Sequence, residues 1–522
     1  MVEVPERRDV RRMRGGVEPA YGGRRWLILS VLCITLLLIS LDTTILNVAL
    51  PAVVRGLQAT SAQLQWIVDA YAVTFASLLL TLGALGDRLG RKWVFAAGLA
   101  IFGSGSVFAA VSASPGQLTA ARAVMGVGAA ALMPCTLSIL TNVFVEEADR
   151  AKAIGYWAAT AGLGVAVGPI FGGFLLDHYW WGSVFLINVP ICIVGLVATL
   201  VVVPDSKNPV PQPVDLVGAA LSMSGLGLLV WGIIEAPSRT WTAPAVIAAL
   251  VGAVVILGGF VLWERRSRHP MLPLRFFSDR RYSAAIGSLA LVLFALLGLF
   301  FLMTQYLQFG LGYTPFQTGL RIAPVALVLL IGAPISTVAT RRMGTKPVVA
   351  GGLVMVSVAL GLLSRTTTSS SYSSLLPWFA VIGLGVGLAL APSIESILGS
   401  LPKALAGVGS ATSDTSMQTG GALGVAVLGT ALNFRYQSYL RPLLVHQPIP
   451  AGVTKLILGS IGGAMAVANN LPAQDGQALA DAARRGFVSG MDLGLLIGCA
   501  VVGAAAMVIL VALPNRPTSG PR

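Results

Sequence analysis

Two long apolar segments are joined by the stretch Gly83-Ala84-Leu85-Gly86-Asp87-Arg88-Leu89-Gly90-Arg91-Lys92. Its glycines permit a tight turn and the close approach of two helices, and Asp87 can pair with a cation or with a helix N-terminus. Such a contact would act as a latch that breaks when two parts of the molecule separate. A basic loop that only follows membrane topology is the alternative, but the order of glycine, acid and base favours the latch. The latch residues are Gly83, Gly86, Asp87, Arg88, Gly90, Arg91 and Lys92.

Apolar segments like the two flanking this stretch recur along the whole chain. The 522 residues are 55% hydrophobic and 11% charged, with a mean hydropathy of +0.81, whereas soluble domains carry about 25% charged residues. Unpaired backbone groups are costly in hydrocarbon, so spanning segments must be helices or closed barrels, and long unbroken apolar runs indicate helices. The predicted fold class is an all-α polytopic membrane protein.

The apolar windows predict about fourteen spans, arranged as six, two and six. A second feature supports two related halves: Thr340-Arg341-Arg342-Met343-Gly344-Thr345-Lys346 echoes the segment from Gly86 to Lys92, and paired six-helix repeats are a transporter architecture. In chain order we expect a cytoplasmic tail (1–25), six helices (26–203), a linker (204–215), two inserted helices (216–263), a cytoplasmic loop (264–282), five helices (283–433), a long extracellular loop (434–487), a last helix (488–513) and a cytoplasmic tail (514–522).

The apolar stretch 451–468 leaves the span count open. As a fifteenth span it would place the C-terminus outside the cell. It contains Lys455 and many small residues, so we expect a hairpin lying against the outer face instead.

The formal charge of +14 is carried mainly by arginines between apolar runs. Most of these basic residues fall in alternate connections, which is the asymmetry of the positive-inside rule, so we expect both termini in the cytoplasm. Membrane topology therefore explains the charge better than nucleic acid binding does. No metal-ligand spacing and no phosphate-binding loop are present, so we expect no metal, no cofactor and no enzymatic activity.

Several charged and aromatic residues lie inside predicted spans. Asp42 stands in an otherwise apolar first span, which is costly unless it faces a wet cavity or a partner, and Arg122 in span four needs an anionic partner for the same reason. Asp42 is one candidate for that partner. Span two places Gln65 and Asp69 on one helical face, beside Trp66 and Tyr71, which could hold a flat organic cation. A capping or interface role remains the alternative for Asp69.

The second half contributes two further acidic residues near the cytoplasmic side. Asp414 lies inside span thirteen and is expected to be functional, whereas an interfacial role is equally consistent with Glu395 at the end of span twelve. In span five small residues recur at every fourth position beside a proline, which predicts close packing and a role in sealing or bending, with ordinary helix packing as the alternative. These residues are Gly164, Gly168, Pro169, Gly172 and Gly173.

At these residues the chain resembles the major facilitator superfamily, specifically the fourteen-helix drug:proton antiporters of the QacA and EmrB type. Four motifs agree in order and spacing: the segments 41–51, 83–92, 122–128 and 164–173. Tyr306 and the residues after it also resemble that family's ninth-span exit. One departure is Trp181-Gly182-Ser183, where relatives often have an arginine between two tryptophans.

The resemblance implies a monomeric transporter of the bacterial cell membrane that exports lipophilic, cationic drugs in exchange for protons. Asp42, Asp69, Asp414, Arg122 and Glu395 would handle protons or cations. Contacts to the drug would come from Asp42, Gln65, Trp66, Asp69, Tyr71, Tyr306 and Asp414. Two alternatives remain open: export of an endogenous metabolite, antibiotic or lipid, and a lipid-binding or sensor scaffold without turnover.

Overall fold

The structure is a computed structural model, and it describes residues 23–207, 213–267, 270–272, 274–402, 406–445, 447 and 449–513. The outer parts of both predicted tails, residues 1–22 and 514–522, lie outside the described residues. Thirteen helices in the described part are long and apolar enough to cross a membrane. In chain order they are α1 (Arg24–Leu57), α2 (Ser61–Leu89), α3 (Arg91–Ala110), α4 (Pro115–Val143), α5 (Glu147–His178), α6 (Ser183–Val202), α7 (Leu216–Arg239), α8 (Pro244–Arg266), α9 (Arg280–Gly310), α10 (Pro315–Met343), α11 (Thr345–Leu363), α12 (Tyr372–Gly399) and α16 (Ala473–Ala512). One further long helix, α13 (Ala406–Leu444), lies between α12 and α16.

Helix α13 has 39 residues and is the fourteenth long helix of the bundle. It packs against α9 and α16 and also against α2 and α7. These neighbours surround it with apolar helices, so it is an integral part of the bundle. The fold is therefore the expected all-helical membrane architecture.

Helices α2 and α10 show that the two halves repeat one design. Each has 29 residues and starts with a capping box, Thr60 with Gln63 in α2 and Thr314 with Gln317 in α10. Each ends at a glycine with positive φ, Gly90 at 119° and Gly344 at 90°, a conformation that glycine adopts without a steric penalty. The internal repeat in the sequence thus corresponds to the same helix and the same turn.

The packing of the other helices follows the same repeat. In the first half α1 packs on α5, α2 on α4 and α3 on α6, and in the second half α9 packs on α13, α10 on α12 and α11 on α16. The halves meet through α5 with α10 and through α2 with α13. These two contacts are equivalent under the repeat, which makes the bundle close to two-fold symmetric.

The inserted pair α7–α8 breaks this symmetry. Helix α7 packs on both α2 and α13, so it covers one of the two interfaces between the halves. Val230 and Ile234 of α7 form an apolar cluster with alanines of both halves, and the Thr430 hydroxyl of α13 donates to the Ile233 carbonyl at 3.0 Å. The pair is thus attached to helices of both halves rather than to lipid alone.

The segment predicted as a long loop at 434–487 is largely helical. Helix α13 continues to Leu444 and α16 begins at Ala473, and between them lie two short helices, α14 (Ala451–Gly459) and α15 (Ile461–Ala468). Neither short helix is long enough to span a bilayer, which needs about 20 residues. Hydropathy windows detect only the apolar part of a helix, which is why the polar turns of α13 and α16 escaped prediction.

Candidate functional site

A buried ion pair lies in the middle of the first half. Arg122 Nη1 is 2.6 Å from Asp42 Oδ2, and the two side chains are 1% and 2% exposed. The other carboxylate oxygen of Asp42 accepts a hydrogen bond from Asn188 Nδ2 at 3.1 Å, and Asn188 also reaches Ser106 Oγ at 3.4 Å. Both oxygens of Asp42 are therefore engaged by side chains of α4 and α6.

Arg122 makes further contacts with α2. Its Nε donates to the Ile67 carbonyl at 3.3 Å, and its guanidinium carbon lies 4.2 Å from the ring centre of Tyr71, a favourable cation–π distance. The cluster joins α1, α2, α3, α4 and α6 into one unit. Tyr71 is thus committed to Arg122 and is an unsuitable contact for a drug in this conformation.

A cavity of about 1620 Å³ lies between the two halves. Its wall is built from α2, α4, α5 and α8 and from α12 and α13, together with Arg91 at the start of α3, the segment before α7 and the connection after α8. These elements surround the cavity at the end where α2, α4, α8 and α12 finish, which we call the cavity end. The opposite end of the bundle is called the closed end.

Four carboxylates among the described residues line this cavity: Asp87, Asp215, Glu264 and Asp414. Asp414 lies eight residues inside α13 from Ala406, or about 12 Å along the helix axis. Of the seven predicted drug contacts, it is the one that lines the cavity wall formed by the described residues. The structure therefore moves the candidate binding site from span two toward the second half.

The predicted latch borders the cavity, and Asp87 forms its ion pair within the first half. Arg91 Nη2 lies 2.8 Å from Asp87 Oδ1, and Arg91 N–H donates to the Ser206 carbonyl at 3.0 Å. Lys92 Nζ donates to the Leu200 carbonyl at 2.8 Å. None of these contacts reaches the second half, which is the arrangement expected where the halves stand apart.

At the closed end the two halves are in direct contact. The hydroxyl of Thr314, the N-cap of α10, donates to Asp177 Oδ2 of α5 at 3.0 Å. Gln308 Nε2 of α9 donates to the Val48 carbonyl of α1 at 2.9 Å. The hairpin α14–α15 packs beside them on α1, where Ser460 Oγ donates to the Ala59 carbonyl at 3.3 Å.

The glycine-rich motif of α5 divides between two neighbours. A Cβ on Gly164 would stand 2.6 Å from Ser40 Cβ of α1, and Gly168 and Gly172 face Thr44 and Ile45 of the same helix. Pro169 and Gly173 point the other way, toward α10. A Cβ on Gly173 would meet the Pro315 carbonyl, and one on Gly319 would meet the Pro169 carbonyl. The motif therefore packs α5 within its half and also closes it against the other half.

Gln65 and Asp69 of α2 lie between the cavity and the closed end. Gln65 Nε2 donates to the carbonyls of Val425 and Ala426 of α13, at 3.0 and 2.9 Å, so it ties the halves together instead of facing the cavity. Asp69 is fully buried, and neither carboxylate oxygen has a hydrogen-bond partner among the described residues. Trp66 packs in the apolar cluster of α2, α7 and α13.

Tyr306 and Glu395 also lie away from the cavity wall. The Tyr306 hydroxyl donates to the Thr367 carbonyl at 2.6 Å, and Glu395 is exposed on α12. The interfacial alternative for Glu395 therefore fits its position better than a role in coupling.

Sequence reasoning missed four polar residues. Asn188, which completes the Asp42 cluster, carries no signal of its own. Asp215 and Glu264 lie at span ends, where charges are ordinary. Asp492 lies inside α16, beside Arg365 and Arg485, on a second cavity of about 300 Å³ at the closed end. For Asp492 a carboxylate within an apolar run was the available signal.

The chain is similar in sequence to known membrane proteins. Residues 32–425 match the Major Facilitator Superfamily. The chain is 37% identical to the multidrug efflux pump LfrA of Mycolicibacterium smegmatis, with 94% of this chain and 96% of that protein covered. It is 31% identical to the tetracenomycin C resistance and export protein of Streptomyces glaucescens, with 96% and 94% covered. It is 32% identical to the methyl viologen resistance protein SmvA of Salmonella typhimurium, with 94% and 97% covered.

Solved structures show the same fold. A bacterial homologue of the human lysosomal transporter Spinster, in an inward-facing and unoccupied conformation, superimposes with a TM-score of 0.68 at 16% identity, covering 94% of this chain and 98% of that one. The two helical halves, the family match and these relatives agree. The chain belongs to the Major Facilitator Superfamily of multi-span membrane transporters.

Proposed function

We propose that this protein exports lipophilic, cationic drugs in exchange for protons, by alternating exposure of a site between its two halves. The observation that carries the proposal is the large cavity that contains Asp414 and ends beneath a closed contact between the halves. A passage that is wide at one end and shut at the other is one state of such a cycle.

The cavity end is assigned to the cytoplasm. Arg88, Arg91 and Lys92 lie there on the first half, and Arg341, Arg342 and Lys346 occupy the equivalent turn of the second half. Positively charged connections mark the cytoplasmic side of membrane proteins. With an even number of spans, both termini lie on this side as well.

The acidic residues divide the work in this proposal. Asp414 meets the cation, because its carboxylate lines the cavity. Asp69 is the candidate for a further proton site between the cavity and the closed end, in addition to Asp414, because unpaired carboxylates inside a membrane domain commonly mark proton pathways. Asp42 is held by Arg122 and Asn188, so we assign it to positioning rather than to contact with the drug. This revises the role that its sequence position suggested.

Coupling follows from competition at one carboxylate. An ionised carboxylate attracts a cation, and a bound proton removes that attraction. Cation and proton therefore exclude each other at Asp414. If the halves exchange conformation only when one of the two is bound, the inward flow of protons drives the cation outward.

The names of relatives support a broad range of organic substrates. They refer to multidrug efflux, to methyl viologen, which is an organic dication, and to tetracenomycin C. The tetracenomycin C export protein and a relative described as a probable actinorhodin transporter favour a second candidate function. This function is the export of an antibiotic made by the host. Both candidates use the same cavity and differ in the substrate.

Transport by purified protein in liposomes tests the proposal. Vesicles with an acidic interior should take up tetraphenylphosphonium, because protons leave as the cation enters, and an ionophore that removes the pH gradient should stop uptake. Asp414→Asn should lower the initial rate by about tenfold. The matched control Glu235→Gln should have no effect, because Glu235 is paired with Arg239 on α7 and is absent from the described cavity wall. Uptake without a gradient, or an unchanged rate in Asp414→Asn, would contradict the proposal.

A further inference from the structure

The inserted helix pair contributes its own carboxylates to the cavity. Asp215 caps the N-terminus of α7, where its Oδ1 accepts from the Gly218 N–H at 2.7 Å. Glu264 lies two residues before the end of α8, and both residues line the cavity. Neither belongs to the six-helix repeats that form the two halves.

The two carboxylates are neighbours at one point of the wall. Asp215 Oδ2 and Glu264 Oε1 each lie 2.8 Å from the position that a Cβ on Gly218 would occupy. Carboxylates this close repel each other when both are ionised, so a cation or a proton between them is favoured. The absence of a side chain at Gly218 leaves room for this approach.

Glu264 is buried and incompletely satisfied. It is 3% exposed, its Oε2 accepts from the Leu272 N–H at 3.1 Å, and its Oε1 has no hydrogen-bond partner among the described residues. Asp215, by contrast, accepts from Trp263 Nε1 at 3.0 and 2.9 Å as well as from Gly218. A buried carboxylate oxygen without a donor leaves room for a cationic partner.

Glu264 has no ion-pair partner among the described residues. Of the four cavity carboxylates, Asp87 is ion-paired with Arg91, whereas Asp215, Glu264 and Asp414 form no ion pair within the described ranges. The charged residues on the same wall are Asp87, Arg91, Arg150, Asp215, Arg265, Arg275 and Asp414.

We propose that Glu264 and Asp215 form a second organic-cation site of the cavity, supplied by the inserted pair and located nearer the mouth than Asp414. The site holds the cation before it moves inward to Asp414, and a proton takes its place when the cation is absent. This inference rests on the proposed export of cationic drugs and gives α7–α8 a direct part in it.

Binding of tetraphenylphosphonium to the full-length protein in lipid nanodiscs tests the site. Glu264→Gln removes the charge but keeps an oxygen that can accept from Leu272, and Asp215→Asn keeps a side chain that caps helices well. Each variant should raise the Kd by about tenfold and weaken its dependence on pH. Glu235→Gln at the far end of α7 is the matched control and should bind as the wild type does.

The outcomes separate this site from the proposed function. If the wild type binds the cation and both variants bind equally well, the second site is wrong while drug export stands. If Glu264→Gln is silent and only Glu264→Ala lowers the melting temperature, Glu264 is an anchor for residues 271–272 and the inference is overturned. If the wild type itself binds no organic cation, the proposed substrate class fails, and this site fails with it. Elution as a single peak in size-exclusion chromatography checks that each variant is folded.

Discussion

Asp42 and Arg122 place opposite charges 2.6 Å apart in an almost solvent-free part of the first half. Each charge is tolerable there because the other is present. Removing one partner of a buried pair leaves an uncompensated charge and costs roughly 3–5 kcal/mol, whereas removing both charges costs much less. The two members of the pair therefore depend on each other.

We predict that Arg122→Met lowers the free energy of unfolding by about 3–5 kcal/mol, with a smaller loss for Asp42→Asn, which keeps a polar group for Asn188. The double variant should recover much of the stability lost in Arg122→Met, because it no longer buries a lone carboxylate. Thermal unfolding in detergent, analysed as a double-mutant cycle, measures the coupling. If the loss of stability in the double variant equals the sum of the losses in the two single variants, the two residues are not coupled and a mutual role is refuted.

Sequence alone identified Asp42 and Arg122 because charges are rare in apolar runs. It could name Asp42 only as one candidate partner, since pairing depends on how α1 and α4 pack across 80 residues of chain. Gln65 was assigned to the drug because it shares a helical face with Asp69, and Tyr71 because its aromatic ring could hold a flat organic cation. In the folded bundle they are engaged by Arg122 and by α13. Glu264 was missed because a charge at a span end is ordinary.

The contact between α5 and α10 closes one end of the passage at the scale of helices. Backbone atoms of Pro169 and Pro315 lie where side chains on Gly319 and Gly173 would stand. The helices can approach this closely only because both positions lack a Cβ, which is the usual use of small residues between membrane helices. The seal is therefore sensitive to single methyl groups.

Gly319→Ala should weaken the closed state, because the added methyl group meets the Pro169 carbonyl. We expect the rate of drug uptake into vesicles to fall by about tenfold, with normal expression. Gly155→Ala on α5 is the matched control, since a Cβ there has no atom within 4 Å among the described residues, and its rate should match the wild type. Equal rates in the two variants would show that the contact is not a seal.

Helix identity was predictable where apolar runs are long, and helix length was not. The start of α2 after its N-cap Thr60 and the turn at Gly90 follow from local capping and glycine signals. Helices α13 and α16 extend well beyond their apolar cores, and hydrogen bonds within each helix stabilise the polar turns, from Arg441 Nη2 to Gln437 Oε1 at 2.8 Å in α13 and from Arg484 Nη1 to Asp481 Oδ1 at 3.2 Å in α16. Such polar turns carry no hydropathy signal, so the ends of these helices could not be read from the apolar runs.

At the scale of the whole molecule, the six, two and six helices form two repeated halves with the inserted pair on one side. The halves meet at two equivalent interfaces, and α7 covers the one between α2 and α13. The interface between α5 and α10 has no such cover among the described helices. The repeat was predictable from the turns after α2 and α10, whereas the placement of the inserted pair on one side required the structure.

Distances measured between spin labels across both ends test alternating access most directly. One pair, at Leu137 and Leu398, spans the cavity between the halves, and a second pair, at Tyr179 and Leu320, spans the closed end on exposed positions. When pH or tetraphenylphosphonium shifts the population, any shortening across the cavity should accompany lengthening across the closed end. Distances that stay fixed, or that change in the same direction at both ends, would contradict a transporter that opens its two ends in turn.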